Sequence, residues 1–250
     1  MTDGLVRILD GNTFVVSDRR GDIEASATDP TGLFAWDTRF LSRWVLTVDG
    51  QRLTALSTDD LNFFETRFFL VPGTGTVYVD SKLSVIRRRA VGNGFHEELT
   101  ILNHDEAPVT LKVRLEAASD FADLFEVKDA LKKKGTYRER VKGKELWLEY
   151  ARDTFVRSTV ITSSASAKVD KRGFTFTVKL APHEAWSTDL EVVTTAVGTG
   201  TGAKGPTMAR SKRSQTMAAD LDRWLTSAPR LEFDWAPIKA TYKRSLVDLA

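Results

Sequence analysis

The sequence of 250 residues contains no cysteine, no long apolar run and no excess of charge of one sign. The lack of cysteine excludes a disulfide framework and a thiolate metal site, and it fits a reducing cytosol. No apolar run approaches the ~18 residues that span a bilayer. The acidic Asp3 and Asp10 and the lack of a long apolar stretch argue against a secretory signal at the start. Lys and Arg number 36 and Asp and Glu 34. This balance gives no electrostatic argument for nucleic acid or an anionic membrane. We therefore predict a cytoplasmic protein with neither as a partner.

The residues that are present favour a packed β protein. Hydrophobic residues make up 42% and charged residues 28% of the chain, which is ordinary for a globular domain. Between about 12 and 195 the apolar residues alternate with polar ones, most clearly in 109–117 and 174–180, as on half-buried strands. The pair Asp49 and Gly50 predicts a type I′ hairpin. About a dozen mostly adjacent strands predict an all-β fold for residues 1–195, a large antiparallel sandwich of two packed sheets.

The pattern changes after residue 195. Residues 196–206, rich in Gly and Thr, predict a flexible linker. Residues 207–250 then show helical apolar spacing in two segments separated by Pro229. The second helical pattern stops at Ala250 without a cap, so we expect the molecule to continue into a further domain. Within the strand-rich part, 119–127 predicts a short helical turn or an irregular loop, and the Lys- and Gly-rich 129–144 predicts a solvated loop.

Motifs for cofactors and nucleophilic catalysis find no structural support in this sequence. Residues 200–205 match G-x-G-x-x-G, but the acid about twenty residues on lies in a predicted helix rather than after a parallel strand. The three histidines, His96, His104 and His183, have no metal-ligand spacing, and no G-x-S-x-G elbow is present. We expect no cofactor and no metal.

Six residues are candidates for a substrate-binding or domain-interface site. Asp120, Asp123 and Glu126 are spaced to line one side of a helical turn, where they would bind a cation or sugar hydroxyls or simply stabilise a helix N-terminus. Trp36 lies in a loop-like segment and is a candidate for stacking on a sugar. Asp37 and Arg39 are two apart, so in an extended segment both side chains would leave on the same side. They would pair with each other, or present hydrogen bonds to a partner surface or to sugar hydroxyls.

Several segments resemble the N-terminal domain that precedes the helical barrel in bacterial glycogen-debranching-enzyme-like (amylo-α-1,6-glucosidase) proteins. The resemblance rests on residues 32–50 (GLFAWDTRFLSRWVLTVDG), 95–104 (FHEELTILNH) and 118–127 (ASDFADLFEV). Residues 244–250 (RSLVDLA) resemble the first helix of that family's barrel. These segments span most of the chain in the family's order.

The resemblance implies a fold and a function. The fold would be a β-supersandwich of the glucoamylase or mutarotase type with a short C-terminal helical linker. An (α/α)6 toroid that carries the catalytic carboxylates would follow. The partners would be that toroid and an α-glucan or other oligosaccharide. No catalytic residue of the family has a counterpart in this chain, so we expect the chain alone to be inactive.

Two other functions remain open from the sequence. One is a stand-alone carbohydrate-binding or regulatory module. The other is a mutarotase-like epimerase, which would need a His and Glu acid–base pair in one cavity. His96 has Glu97 and Glu98 beside it, but adjacent residues of a strand point to opposite faces.

Overall fold

The computed structural model describes residues 4–26, 30–73, 82–92, 94–197, 210–232 and 234–249. The chain divides into two compact units, Met1–Lys204 and Gly205–Ala250. The first unit contains the strands and the second contains two helices. Most of the predicted linker, from 198 onward, lies outside the described residues.

Strands dominate the first unit, with one short helix among them. In chain order they are β1 (Val6–Asp10), β2 (Thr13–Ser17), β3 (Ile23–Glu24), β4 (Gly32–Ala35), β5 (Thr38–Leu41), β6 (Arg43–Val48), β7 (Gln51–Asn62), β8 (Glu65–Pro72), β9 (Leu83–Val91), β10 (Phe95–Asn103), β11 (Val109–Ala118), helix α1 (Leu124–Lys128), β12 (Thr136–Lys142), β13 (Glu145–Arg152), β14 (Phe155–Ser163), β15 (Lys168–Asp170), β16 (Gly173–Leu180) and β17 (Ala185–Val197).

These strands form one small and one large antiparallel sheet. The small sheet has the order β1-β2-β4-β5. The large sheet has the order β12-β13-β14-β17-β10-β9-β8-β7-β6-β11-β16-β15, with β3 paired to β6. Strand β7 connects the two halves of the large sheet, because its start pairs with β6 and most of its length pairs with β8 across two register shifts. Such irregularities let a strand pass from one packed layer to the next.

The two halves of the large sheet face each other across a common core. The Trp44 indole of β6 donates a hydrogen bond to Glu97 of β10 over 3.2 Å, and the Phe176 ring of β16 lies 5.4 Å from that of Trp186 of β17. The predicted all-β supersandwich is therefore confirmed, with its two layers joined through one strand.

The period-two segments form strands for the predicted reason. In β11, Leu111, Val113, Leu115 and Ala117 are buried, while Thr110 and Lys112 are exposed. Burying one face of a strand removes its apolar side chains from water and leaves the polar ones hydrated. At the predicted hairpin between β6 and β7, Asp49 and Gly50 have φ of 49° and 79°, as a type I′ turn requires.

One prediction about the first unit is wrong. Residues 129–144 were expected to form a solvated loop, but they include strand β12, which pairs with β13 along its whole length. All seven residues of β12 are exposed. Because neither of its faces is buried, this edge strand lacks the apolar alternation by which a strand is detected in a sequence.

The second unit consists of helices α2 (Arg210–Ser227) and α3 (Ala236–Leu249). The Trp224 indole donates to the Leu246 carbonyl over 3.1 Å, and the Tyr242 hydroxyl donates to the Pro229 carbonyl over 2.6 Å. These bonds join the two helices and the segment between them. Within the described parts of the chain, no helix is both long enough and apolar enough to cross a membrane.

Candidate functional site

The connection between β4 and β5 is a tight turn that exposes a tryptophan. Ala35 pairs with Thr38, so Trp36 and Asp37 form a two-residue loop, with φ of 49° and 60°. Such a pair of positive φ values is typical of a type I′ turn, and it is uncommon for residues other than glycine. The Trp36 side chain is 64% exposed. The turn therefore presents a large aromatic ring from a rigid hairpin.

Residues 119–124 run beside this hairpin and fix it. The Leu124 amide donates to the Asp37 carbonyl over 3.2 Å, and the Arg39 amide donates to the Ala122 carbonyl over 2.8 Å. Thr38 and Asp123 also form an antiparallel bridge. Two segments about eighty residues apart in sequence, each of which supplied candidate residues, thus form one site.

The Arg39 side chain makes the strongest side-chain contact between these segments. Its Nε lies 3.0 Å from Asp120 Oδ1 and its Nη2 lies 2.5 Å from Asp120 Oδ2. This bidentate geometry suits a planar guanidinium and a carboxylate.

The prediction that Asp37 and Arg39 point to the same side is wrong, because the turn exposes Asp37 while Arg39 is 6% exposed. Tertiary pairing with Asp120 accounts for the burial of Arg39.

The carboxylates of Asp123 and Glu126 cap helix α1. Asp123 Oδ1 accepts from the Phe125 and Glu126 amides over 3.0 and 2.9 Å, and Glu126 Oε2 accepts from the Asp123 amide over 2.9 Å. This reciprocal arrangement is a capping box. The backbone bond from Glu126 and the nearby Lys133 lower the pKa of Asp123. Lys133 Nζ lies 2.8 Å from Glu126 Oε2.

Asp120 does not share a helix face with these two residues. It precedes the helix and faces Arg39. The expectation that Asp120, Asp123 and Glu126 line one side of a single helical turn is therefore wrong. Of the roles considered for the acids, helix capping accounts for the contacts of Asp123 and Glu126.

Exposed apolar side chains lie on the framework formed by the β4–β5 hairpin, residues 119–124 and helix α1. We call Trp36, Leu124, Phe125 and Leu131 the apolar platform. Their exposed fractions are 64%, 39%, 77% and 60%. The Leu131 amide donates to the Glu126 carbonyl over 2.8 Å, so the loop that follows α1 is also tied to the capped helix.

A cavity of about 340 Å³ adjoins the platform at Leu131. It lies between residues 119–122, residues 131–133 and the strands β12 and β13. Its lining includes the charged side chains of Asp120, Lys132, Arg138 and Glu139, together with the Tyr137 ring. Such a volume is at the small end of the range for sites that bind small molecules.

A buried charge network between the two layers was not predicted from the sequence. Arg87, Arg89 and Glu97 have fully buried side chains, and Asp22 is 3% exposed. Glu97 lies 2.9 Å from Arg87 Nε and 2.9 Å from Arg89 Nε, while Arg87 Nη1 lies 2.7 Å from Asp22 Oδ1. The sequence does contain one signal for this network. In β9, Arg87 and Arg89 occupy the same alternate positions as Val85 and Val91, and all four residues are buried.

His96 is buried beside two carboxylates of β17. Its Nδ1 lies 2.6 Å from Glu191 Oε1 and its Nε2 lies 3.2 Å from Asp189 Oδ1. Its neighbour Glu97 belongs to the charge network on the other face of β10. His96 does not line the cavity described above. Among the residues that the structure describes, no cluster of three or more His, Asp and Glu side chains could hold a metal ion.

The joined double layer of antiparallel strands defines the class as a β-supersandwich, and one solved structure of comparable fold agrees. A protein described as a kojibiose phosphorylase, from the human microbiome, has a TM-score of 0.50 and 9% identity over 96% of this chain and 35% of that chain. This chain thus spans about a third of that protein's length. A protein described as an aldose 1-epimerase from Escherichia coli K12 has a TM-score of 0.41 and 8% identity over 77% of this chain and 99% of that chain. No curated protein matches the sequence.

The family is established by the sequence match. The sequence model of a protein family, described as the N-terminal domain of some glycogen debranching enzymes, matches residues 8–191, which is most of the chain. The chain therefore belongs to that family of N-terminal domains, and the resemblance is confirmed for the segments within residues 8–191.

Proposed function

We propose that this chain is the non-catalytic N-terminal domain of a cytoplasmic glycoside hydrolase of the glycogen-debranching type, which acts on α-glucans. In this proposal the domain braces a catalytic helical domain of the same polypeptide. The observation that carries the proposal is the apolar platform, four exposed apolar side chains on a fixed framework. Membership of a family of debranching-enzyme N-terminal domains supports the enzyme class.

The platform has the properties of a docking surface. Clustered exposed apolar side chains on a soluble domain mark interaction sites, and tryptophan is enriched among the residues that dominate binding energy. The turn at Trp36 and the capped helix α1 hold these side chains before any partner arrives, which lowers the entropy lost on association. The occupant in the proposal is the catalytic domain, because the long protein of similar fold leaves about two thirds of its length to other parts.

The carboxylates of the site support a non-catalytic role. Hydrolysis of a glycoside needs two carboxyl groups placed across the scissile bond, one of them as a general acid. Asp120 is engaged with Arg39, and Asp123 and Glu126 are engaged with the helix cap and Lys133. In the proposal Trp36 and Asp37 lie at the interface, and the other four candidates hold the framework.

The test substitutes residues of the apolar platform in the longer polypeptide that includes the proposed catalytic domain. We expect Trp36→Ala and Phe125→Ala each to lower its thermal stability and its hydrolysis of a branched glucan, since truncating a central aromatic residue costs about 2 kcal/mol or more. Leu56→Ala is the matched control, because Leu56 is 51% exposed on β7, outside the platform. Unchanged stability and activity in both platform variants would refute docking through the platform.

The 250-residue chain by itself supplies the second arm of this test. We expect it to release no glucose from glycogen, limit dextrin or isomaltose. Turnover by the chain that disappears in Asp120→Asn or Glu126→Gln would show that the carboxylates of this domain are catalytic.

A further inference from the structure

We infer that the cavity beside Tyr137, which adjoins the apolar platform at Leu131, is a binding subsite for an α-linked gluco-oligosaccharide. The inference rests on the proposed function for its ligand class, while the site is argued from the residues that line the cavity. None of its chief residues, Tyr137, Arg138 and Glu139, was a candidate from the sequence.

Tyr137 supplies a fixed aromatic surface. Its hydroxyl lies 3.1 Å from the Asp120 carbonyl and 3.0 Å from the Lys133 carbonyl, so its proton is shared between two backbone acceptors. The ring meets that of Tyr150 edge-on at 5.1 Å and is 38% exposed. The apolar C–H face of a pyranose packs on such a surface, and an anchored ring loses little freedom when the sugar binds. Burial, with the negative charges nearby, raises the pKa of Tyr137 to about 12, so its hydroxyl keeps its proton at neutral pH.

The charged side chains that line the cavity suit a neutral polyhydroxy ligand better than an anion. Lys132, Lys133 and Arg138 can donate hydrogen bonds, while Asp120, Glu139 and Glu149 can accept them. An anion site would expose mainly cations. Here three carboxylates accompany three cations.

Two of the acceptors that line the cavity, Asp120 and Glu149, contact arginine side chains of the protein. Asp120 accepts two bonds from Arg39 and one from the Ala122 amide. Since an ionised carboxylate offers about four lone-pair sites, one acceptor position is left to a ligand hydroxyl. Arg140 Nη2 lies 2.8 Å from Glu149 Oε2 and forms an ion pair with it, and this buried oxygen has no hydrogen-bond partner among the residues that the structure describes.

The position of β12 favours a chain of sugars over a single ring. This strand forms one edge of the large sheet. Tyr137, Arg138 and Glu139 line the cavity and also a second depression of about 520 Å³, to which Arg140 and Lys171 contribute. The shared residues place the two spaces side by side at the edge strand, so that successive sugar rings of one chain would occupy both. The α linkage of that chain is taken from the proposed function, because the family match is to debranching-enzyme N-terminal domains.

The test measures binding of maltoheptaose to the 250-residue chain by isothermal titration calorimetry. We expect Tyr137→Ala to weaken binding by about tenfold or more, and Tyr137→Phe to weaken it less because the ring remains. Arg138→Gln combined with Glu139→Gln should also weaken binding. These two side chains are exposed on an edge strand, so that variant should keep the fold even where Tyr137→Ala does not. Cellohexaose should bind at least about tenfold more weakly than maltoheptaose.

Four results would overturn the inference. They are no binding of maltoheptaose to the unaltered chain, equal affinity in the folded Tyr137 or Arg138/Glu139 variants, displacement of the sugar by inorganic phosphate, and a loss of affinity in Phe125→Ala as large as that in Tyr137→Ala. The third would assign the cavity to an anion and the fourth would place the sugar on the platform. Because no catalytic domain is present in this test, its failure is distinct from a failure of the docking proposal.

Discussion

Replacing Glu97 with glutamine removes the central charge of the network between the two layers. Glu97 accepts hydrogen bonds from Arg87, from Arg89 and from the Trp44 indole. Glutamine has nearly the same shape, but it carries no charge and turns an amide N–H₂ group toward donors. Glutamine keeps one acceptor oxygen, so it cannot serve both guanidinium groups as the carboxylate does. Where the amide nitrogen replaces Oε2, Arg89 loses both of its bonds to residue 97 while its guanidinium stays fully buried.

The loss of stability expected for Glu97→Gln follows from the burial of these charges. Exchanging a whole buried ion pair for apolar residues is often neutral, whereas removing one partner leaves an uncompensated charge and costs about 3–5 kcal/mol. At about 2–4 °C per kcal/mol for a chain of this size, Glu97→Gln should lower Tm by roughly 6–20 °C. Although burial by itself raises the pKa of Glu97, Arg87 and Arg89 lower it below the ordinary value, so the group is ionised in the folded protein at neutral pH.

The assay is thermal unfolding of the 250-residue chain at neutral pH, followed by circular dichroism. Glu106→Gln is the control, because Glu106 is 89% exposed in its pair with His183, and it should leave Tm unchanged. Glu97→Leu combined with Arg89→Met should be less destabilised than Glu97→Leu alone, since the double variant removes both charges. A shift in Tm of less than about 1 °C for Glu97→Gln would refute the reasoning that the network's charges are desolvated and mutually dependent.

Two further predictions concern single positions. Gly173→Ala should lower the free energy of unfolding by about 1–3 kcal/mol in urea, because Gly173 has φ of +139° and a Cβ there would lie 1.9 Å from the Leu115 carbonyl oxygen. Gly11→Ala is the control and should cost less, because φ is also positive there but the space is open. Equal losses in the two variants would contradict the steric argument. In a spectrophotometric titration, Tyr137→Phe should remove a phenolate component near the pKa of about 12 rather than one near 10. Since folding raises this pKa, the stability that Tyr137 contributes is complete below pH ~10 and is lost as the pH rises through the pKa of the folded protein. Loss of a component near 10 would contradict the burial of the hydroxyl.

Much of the fold could be predicted because its signals are local. Strands β11 and β16 alternate apolar and polar residues, so each specifies a buried face without reference to any other segment. The turn at Asp49 and Gly50 depends only on which residues tolerate positive φ. The spacing of Leu221, Trp224 and Leu225 likewise predicts a helix, and α2 includes these residues. In each case one short window contains the whole physical cause.

The candidate site could be predicted in its residues but not in its geometry. Trp36, Arg39 and Asp120 were singled out one by one, yet no local pattern shows that Arg39 pairs with a residue 81 positions away. Strand β12 and the cavity beside Tyr137 were missed, because an edge strand that buries neither face shows no alternation.

The sequence by itself determined where apolar faces, turns and helices occur, since these depend on backbone preference and on the period of the side chains. Only the tertiary structure decided which charges are buried and with which partners. Arg87, Arg89 and Glu97 are ordinary surface residue types, and their burial becomes tolerable only when β9, β10 and the loop at Asp22 meet. A desolvated charge is stable only beside an opposite one, and those opposite charges come together only through contacts between segments that are distant in the chain.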